Sequence, residues 1–169
     1  PRELKIGGIV IRDVLVGEVW LASGQSNMGS PLNSAHNAAE VLPQAQDPQL
    51  RFFSVTRRTA AEPQSSLAGK WETATPDTAK NFSAVAYYFS RELQKARGVP
   101  VGVIHTSWGG SPAEVWMSEP VLSANPSYKR DILDAYAGSH QKYLEAVKRW
   151  EERLAQAQKE GQPFKENRP

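Results

Sequence analysis

The chain contains no cysteine and only three histidines among its 169 residues. The absence of cysteine excludes a disulfide scaffold and any site in which thiolates hold zinc or an iron–sulfur cluster. No apolar run approaches the roughly 18 residues that a membrane-spanning helix needs. The 20 basic and 18 acidic side chains give a formal net charge of +2, which predicts neither nucleic acid nor a charged membrane as a partner. No cluster has the spacing of metal ligands, so neither a metal nor a cofactor is expected.

Composition changes near residue 120. Most glycines and several short β-branched runs lie before that point, whereas residues 127–161 are rich in Glu, Lys, Gln, Ala and Tyr. The second segment predicts one long helix or a helical pair broken near Gly138. Its apolar stripe has heptad-type spacing and consists of Tyr136, His140, Tyr143, Val147, Trp150 and Leu154. We interpret the stripe as packing on the main domain or within a helical hairpin, with a partner-binding coiled coil as the alternative.

Several segments before residue 120 have the pattern of strands. Residues 4–16 predict two short strands around Gly7 and Gly8, and residues 50–56 predict a third. Residues 14–22 are mostly apolar, which is typical of a strand buried on both faces of a parallel sheet.

A helix and another strand follow each other closely. Residues 83–97 predict a helix that Ser83 caps and Gly98 ends. Residues 101–105 then predict a buried strand. Strand, helix and strand joined by tight turns are typical of a βαβ unit, and the sequence therefore predicts an α/β fold with a parallel sheet.

A serine-containing turn follows one of these strands. Residues 23–29 read Ser-Gly-Gln-Ser-Asn-Met-Gly, and Ser26 is placed like a nucleophile beyond the carboxyl end of the strand. Met28 stands where the Gly-x-Ser-x-Gly elbow of α/β-hydrolases has its second glycine, so this turn is of a different kind. On these residues alone, an ordinary turn at a strand end is the competing interpretation.

A glycine-rich turn follows a second strand. Residues 105–111 read His-Thr-Ser-Trp-Gly-Gly-Ser, and in a parallel sheet this turn lies on the same edge as Ser26. Paired glycines leave backbone N–H groups open to a ligand, and a serine beside such donors suits acyl transfer through an oxyanion hole. Ser111 and Pro112 are expected to start a capped helix.

Three blocks together resemble one known family. Residues 17–28, residues 81–89 with 98–104, and residues 106–116 are similar to the nucleophile block, the central helix and strand, and the glycine block of the sialate O-acetylesterase and acetylxylan esterase-like branch of the SGNH hydrolases. The resemblance implies a three-layer α/β/α, flavodoxin-like parallel sheet that is incomplete at the C-terminus and carries a helical insertion. It also implies hydrolysis of acetyl esters on carbohydrates of the sialic acid, xylan or xyloglucan type.

The resemblance further implies roles for residues of the two turns. Ser26 would be the nucleophile and would form an acetyl-enzyme intermediate. Its own N–H and that of Gly110 or Gly109 would form part of the oxyanion hole. Gln25 and Asn27 would support the loop or contact substrate.

Glu114 and Trp116 match family positions as well. For these two side chains, substrate contact competes with helix capping and core packing as the interpretation.

A serine nucleophile needs a general base, normally a histidine oriented by an acid. SGNH enzymes carry this pair near the C-terminus as Asp-x-x-His. The residues three places before His36, His105 and His140 are Asn33, Gly102 and Ala137. The Gln-Gly-Glu block of the family is also absent. The base and the acid are therefore expected C-terminal to this chain, in the remainder of the same catalytic domain, and the 169-residue fragment alone is expected to be inactive.

Two of the three histidines keep two interpretations each. His105 is either packed and hydrogen-bonded or directly involved in the chemistry. His36 lies either on the surface or at the edge of the substrate cleft, and His140 is interpreted as an interfacial residue of the helical stripe.

These arguments divide the chain into four parts. Residues 1–13 are interpreted as the exit from a preceding β segment, 14–126 as the N-terminal part of the hydrolase domain, 127–161 as a helical insertion, and 162–169 as a polar tail or linker. The resemblance favours a secreted, periplasmic or lysosomal protein whose ligand is an acetylated carbohydrate. A catalytically inactive relative that binds glycans is the alternative function.

Overall fold

The first of two units, Pro1–Ser111 and Pro112–Pro169, begins with an antiparallel hairpin. The structure is a computed structural model that describes residues 2–60 and 62–169. Strand β1 (Arg2–Ile6) pairs with β2 (Ile9–Val14), and Gly7 between them adopts a left-handed φ of 58°. The prediction of two short strands around Gly7 and Gly8 is confirmed.

A four-stranded sheet follows the hairpin. Its strands are β3 (Glu18–Gly24), β4 (Asp47–Ser54), β5 (Trp71–Ala74) and β6 (Val101–Ser107), and their spatial order is β3-β6-β4-β5. Strand β6 runs parallel to both β3 and β4, whereas β5 is antiparallel to β4. The predicted α/β class is therefore confirmed, and the sheet is parallel except for its edge strand β5.

The described residues of this unit form four α-helices. They are α1 (Ser26–Gly29), α2 (Ala38–Val41), α3 (Pro76–Lys80) and α4 (Ala84–Arg97), with short 3₁₀ turns at Leu32–Ser34 and Leu42–Gln44. The sequence predicted α4 correctly. Ser83 accepts a hydrogen bond from the Ala86 N–H at the start of the helix, and Gly98 closes it with a φ of 65°, a backbone conformation that favours glycine.

The core lies between α4 and one face of the sheet. Phe52 of β4 stacks on Phe82 with ring centroids 4.0 Å apart, and Tyr87 of α4 meets the Phe52 ring edge-on. All three side chains are buried. The Phe82 ring also meets His105 near the carboxyl end of β6, where one of the two predicted functional turns begins.

The prediction that residues 14–22 form a strand buried on both faces is wrong. Val14 belongs to β2, and β3 is an edge strand whose one neighbour among the described residues is β6. Successive side chains of a strand point to opposite faces, so Ala22 is buried while Val19 and Leu21 are 62% and 66% exposed. An apolar run allows both faces of a strand to be buried. In this structure the face that carries Val19 and Leu21 is exposed.

The second unit is helical. It contains a 3₁₀ turn (Ala113–Trp116), α5 (Glu119–Ala124), α6 (Pro126–Tyr128), a π-helical segment (Lys129–Asp134) and α7 (Ala135–Lys159). Gly138 lies inside α7, so the predicted alternative of a break near Gly138 is wrong, and the backbone irregularity comes before the helix.

Several stripe residues of α7 make contacts within this unit. His140 stacks on Tyr136, and Trp150 meets Phe164 edge-on while donating a hydrogen bond to the Glu166 carbonyl. The segment 162–169 thus packs back onto α7. The four-part division of the chain stays a prediction.

Candidate active site

Ser26 begins the short helix α1 directly beyond the carboxyl end of β3. Gly24 has a φ of 134°, a conformation that L side chains rarely adopt, and it lets the chain turn sharply after the strand. The Gly29 N–H donates to the Gln25 carbonyl over 2.9 Å and closes the turn. The side chains of Gln25, Ser26 and Asn27 are all exposed. The local structure therefore presents a serine hydroxyl to solvent at the sheet edge.

The glycine-rich turn lies against the serine turn. Gly24 and Ser107 are paired in the parallel register of β3 and β6, and just beyond them the Trp108 N–H donates to the Gly24 carbonyl over 2.9 Å. A Cβ built on Gly109 would lie 3.7 Å from both Cα and Cβ of Ser26. The predicted meeting of the two turns at one sheet edge is confirmed.

The remaining predicted site residues occupy different places. Gly110 follows Gly109 in a left-handed conformation with a φ of 81°, and no atom lies within 4 Å of the position that its Cβ would take. Glu114 and Trp116 belong to the 3₁₀ turn at the start of the second unit. Their contact with substrate, like the roles of Gln25 and Asn27, stays a prediction.

The expectation that Ser111 caps a helix is wrong. Its hydroxyl donates to the Trp108 carbonyl over 2.7 Å and so stays within the glycine-rich turn. The turn Ala113–Trp116 begins at Pro112 without a side-chain cap.

His105 lies at the carboxyl end of β6, where it contacts Ser107 and Phe82. Its Nε2 lies 2.8 Å from the Ser107 Oγ, and its ring meets Phe82 edge-on with centroids 5.4 Å apart. Burial lowers the pKa of the His105 imidazole, a hydrogen bond to the Met28 backbone opposes that shift, and the nearby Arg57 charge lowers the pKa further. Of the two interpretations of His105, the contacts favour a packed and hydrogen-bonded side chain.

No base for Ser26 is found among residues 2–60 and 62–169. No hydrogen bond in this described part joins the Ser26 hydroxyl to an imidazole or a carboxylate. The Ser30 hydroxyl donates to the Ser26 backbone carbonyl, which leaves the Ser26 hydroxyl itself unaffected. His36 is exposed, and His140 stacks between Tyr136 and Tyr143 on α7. Within the same described ranges, no group of three or more His, Asp or Glu side chains could hold a metal ion.

Sequence reasoning missed Arg57 and the contact between His105 and Ser107. The second could have been found, because residues two apart on a strand point to the same face. Arg57 lies in the irregular segment after β4, and its Nε donates to the Ser107 carbonyl over 3.1 Å. A contact across 50 positions leaves no mark in local sequence patterns.

Comparisons with known proteins agree with this geometry. The family model described as carbohydrate esterase, sialic acid-specific acetylesterase, matches residues 16–161. The rat and human sialate O-acetylesterases are 38% and 36% identical over 123 residues, which are 68% of this chain but only 23% and 24% of those proteins. The crystal structure of a carbohydrate acetylesterase from Xanthomonas citri matches with a TM-score of 0.66 and 45% identity, covering 68% of this chain and 27% of that one. The chain thus spans about a quarter of the length of these relatives, and it belongs to the sialic acid-specific acetylesterase family of carbohydrate esterases.

Proposed function

We propose that this chain carries the nucleophile and part of the oxyanion hole of a carbohydrate O-acetylesterase. The observation that supports this most directly is the position of Gly109 against Ser26, at the paired carboxyl ends of β3 and β6. Membership of a carbohydrate esterase family adds independent support.

In the proposed reaction, the Ser26 Oγ attacks the carbonyl carbon of an acetyl group on a sugar. The carbonyl π electrons move to oxygen, and the N–H groups of Ser26 and of Gly109 or Gly110 stabilise that oxyanion. The sugar oxygen then leaves with a proton, and an acetyl-enzyme intermediate remains. Water attacks this ester, and acetate is released as Ser26 regains its proton.

The proton transfers require a base, which we propose lies in the remainder of the same catalytic domain. The exposed edge of β3 and the exposed side chains of Val19 and Leu21 support this, because parallel sheets are ordinarily covered on both faces. The chain covers only about a quarter of the length of its relatives, and this also supports a base that lies outside it. The 169-residue chain alone is therefore expected to show little or no esterase activity.

The proposed function also predicts where the enzyme is located. No helix among the described residues is long and apolar enough to cross a membrane. A secreted, periplasmic or lysosomal location would bring the enzyme to acetylated carbohydrates.

The decisive experiment replaces Ser26 in the full-length enzyme. Ser26→Ala should lower acetate release from acetylated sugars and from an aryl acetate by at least about 10³-fold, since removing a serine nucleophile leaves only residual catalysis. Ser34→Ala, at another exposed serine of the same unit, is the matched control and should leave the rate unchanged. Unchanged hydrolysis by Ser26→Ala would contradict the proposal. Glycan binding without hydrolysis by the wild type would favour the inactive, glycan-binding alternative.

A further inference from the structure

Arg57 is fixed at the edge of the candidate active site. The segment after β4 continues alongside β6, because the Val55 N–H donates to the His105 carbonyl over 2.9 Å. Two residues later, the Arg57 Nε donates to the Ser107 carbonyl over 3.1 Å. Ser107 is two positions before Gly109, which lies against Ser26. The guanidinium is thereby tied to the strand end that carries the glycine-rich turn.

The charge of Arg57 has no acidic partner within residues 2–60 and 62–169. Other arginines in the same part of the chain do have acidic partners: Arg51 pairs with Asp13, and Arg97 pairs with Glu18. Among the described residues, Arg57 donates through Nε alone, so both terminal NH₂ groups of this exposed side chain remain available there. A planar guanidinium with free terminal nitrogens matches the geometry of a carboxylate.

We propose that Arg57 is a specificity-determining residue that binds the carboxylate of an O-acetylated acidic sugar. This inference rests on the proposed function of Ser26 and names the class of substrate that the same site would prefer. Sialic acids and uronic acids share the required chemistry, whereas neutral xylan and xyloglucan units lack a carboxylate. Because Nε is bonded to the Ser107 carbonyl, the terminal nitrogens are the part of the side chain that would bind the sugar.

The test compares variants of the full-length enzyme on matched substrates. The substrates are an O-acetylated N-acetylneuraminic acid, the methyl ester of the same sugar, an O-acetylated glucuronic acid and an aryl acetate, with acetate release as the measurement. The variants are Arg57→Gln, Arg57→Lys and, as control, Arg58→Gln at the adjacent exposed arginine.

Arg57→Gln should lower kcat/KM for the acidic sugar by roughly 10- to 100-fold, as expected for loss of a charge-assisted hydrogen bond. It should change kcat/KM for the methyl ester and the aryl acetate less than about twofold, so the preference for the free acid disappears. Arg57→Lys should retain part of the preference because the charge remains while the planar fork is lost. Arg58→Gln should match the wild type. Comparison of the sialic and glucuronic substrates identifies which source of carboxylate the site takes.

Two results would overturn the proposal. In the first, Arg57→Gln lowers kcat/KM for all substrates equally, which would assign Arg57 to holding the Ser107 carbonyl. In the second, Arg57→Gln leaves kcat/KM for the acidic sugar unchanged. Should Ser26→Ala leave hydrolysis intact, the proposed function fails separately. Equilibrium binding of N-acetylneuraminic acid and glucuronic acid to wild type and Arg57→Gln then still decides the role of Arg57, since equal affinities would refute it.

Discussion

Alanine substitution at the two glycines of the glycine-rich turn should affect different properties: at Gly109 the reaction rate, and at Gly110 the free energy of unfolding. A methyl group on Gly109 would lie 3.7 Å from Cα and Cβ of Ser26 and 3.9 Å from its backbone nitrogen. These are ordinary van der Waals distances, and the backbone of Gly109 is outside the left-handed region. A methyl group on Gly110 would touch nothing, but its φ of 81° is unfavourable for alanine.

The expected magnitudes follow from this geometry. Gly109→Ala should change the free energy of unfolding by less than about 0.5 kcal/mol, since the residue fits without strain. Its methyl would cover the Ser26 N–H and displace the acetyl group, and a misplacement of about 1 Å costs on the order of 10² in rate. Gly110→Ala should lower the free energy of unfolding by about 1–2 kcal/mol, the cost of a left-handed alanine. For a chain of this size that corresponds to a fall in Tm of roughly 2–8 °C.

The assays separate the two effects. Thermal unfolding of the 169-residue chain, followed by far-ultraviolet circular dichroism, measures stability. The kcat/KM of the full-length enzyme on an aryl acetate measures chemistry. Wild-type kinetics for Gly109→Ala, or equal destabilisation by both variants, would refute the placement of Gly109 beside Ser26.

Two further predictions concern stability. Gly17→Ala should lower the free energy of unfolding by about 1–3 kcal/mol in urea titrations, because its Cβ would lie 2.0 Å from the Pro100 carbonyl oxygen. Gly8→Ala, where nothing lies within 4 Å, is the matched control, and equal midpoints for the two variants would contradict the close approach. The lowered pKa of His105 means that the unfolded chain binds its proton more readily than the folded chain does. The free energy of unfolding should therefore fall as pH drops below about 6.5, the ordinary histidine pKa, and through the lower folded value. His105→Gln should reduce this slope in urea midpoints measured between pH 7.5 and 5, and an unchanged slope would count against a lowered pKa of the partly buried imidazole.

Local sequence signals predicted the elements that local interactions form. Ser83 and Gly98 delimit α4 because a side-chain cap and a left-handed glycine satisfy helix ends within a few residues. Gly7 and Gly8 likewise marked the hairpin turn. The apolar run at 14–22 indicated a strand but misled about burial, since β3 pairs with one neighbour only.

The sequence by itself determined the positions of the two candidate functional turns, because glycine, serine and asparagine favour sharp turns wherever a strand ends. It also indicated that both turns belong to one sheet edge, since parallel strands bring their carboxyl ends together. Only the tertiary structure decided which groups meet there. The approach of Gly109 to Ser26, the contact of His105 with Ser107, and the anchoring of Arg57 depend on the register of β3, β4 and β6. These contacts join residues up to about 80 positions apart, and they arise from packing that local residue patterns do not encode.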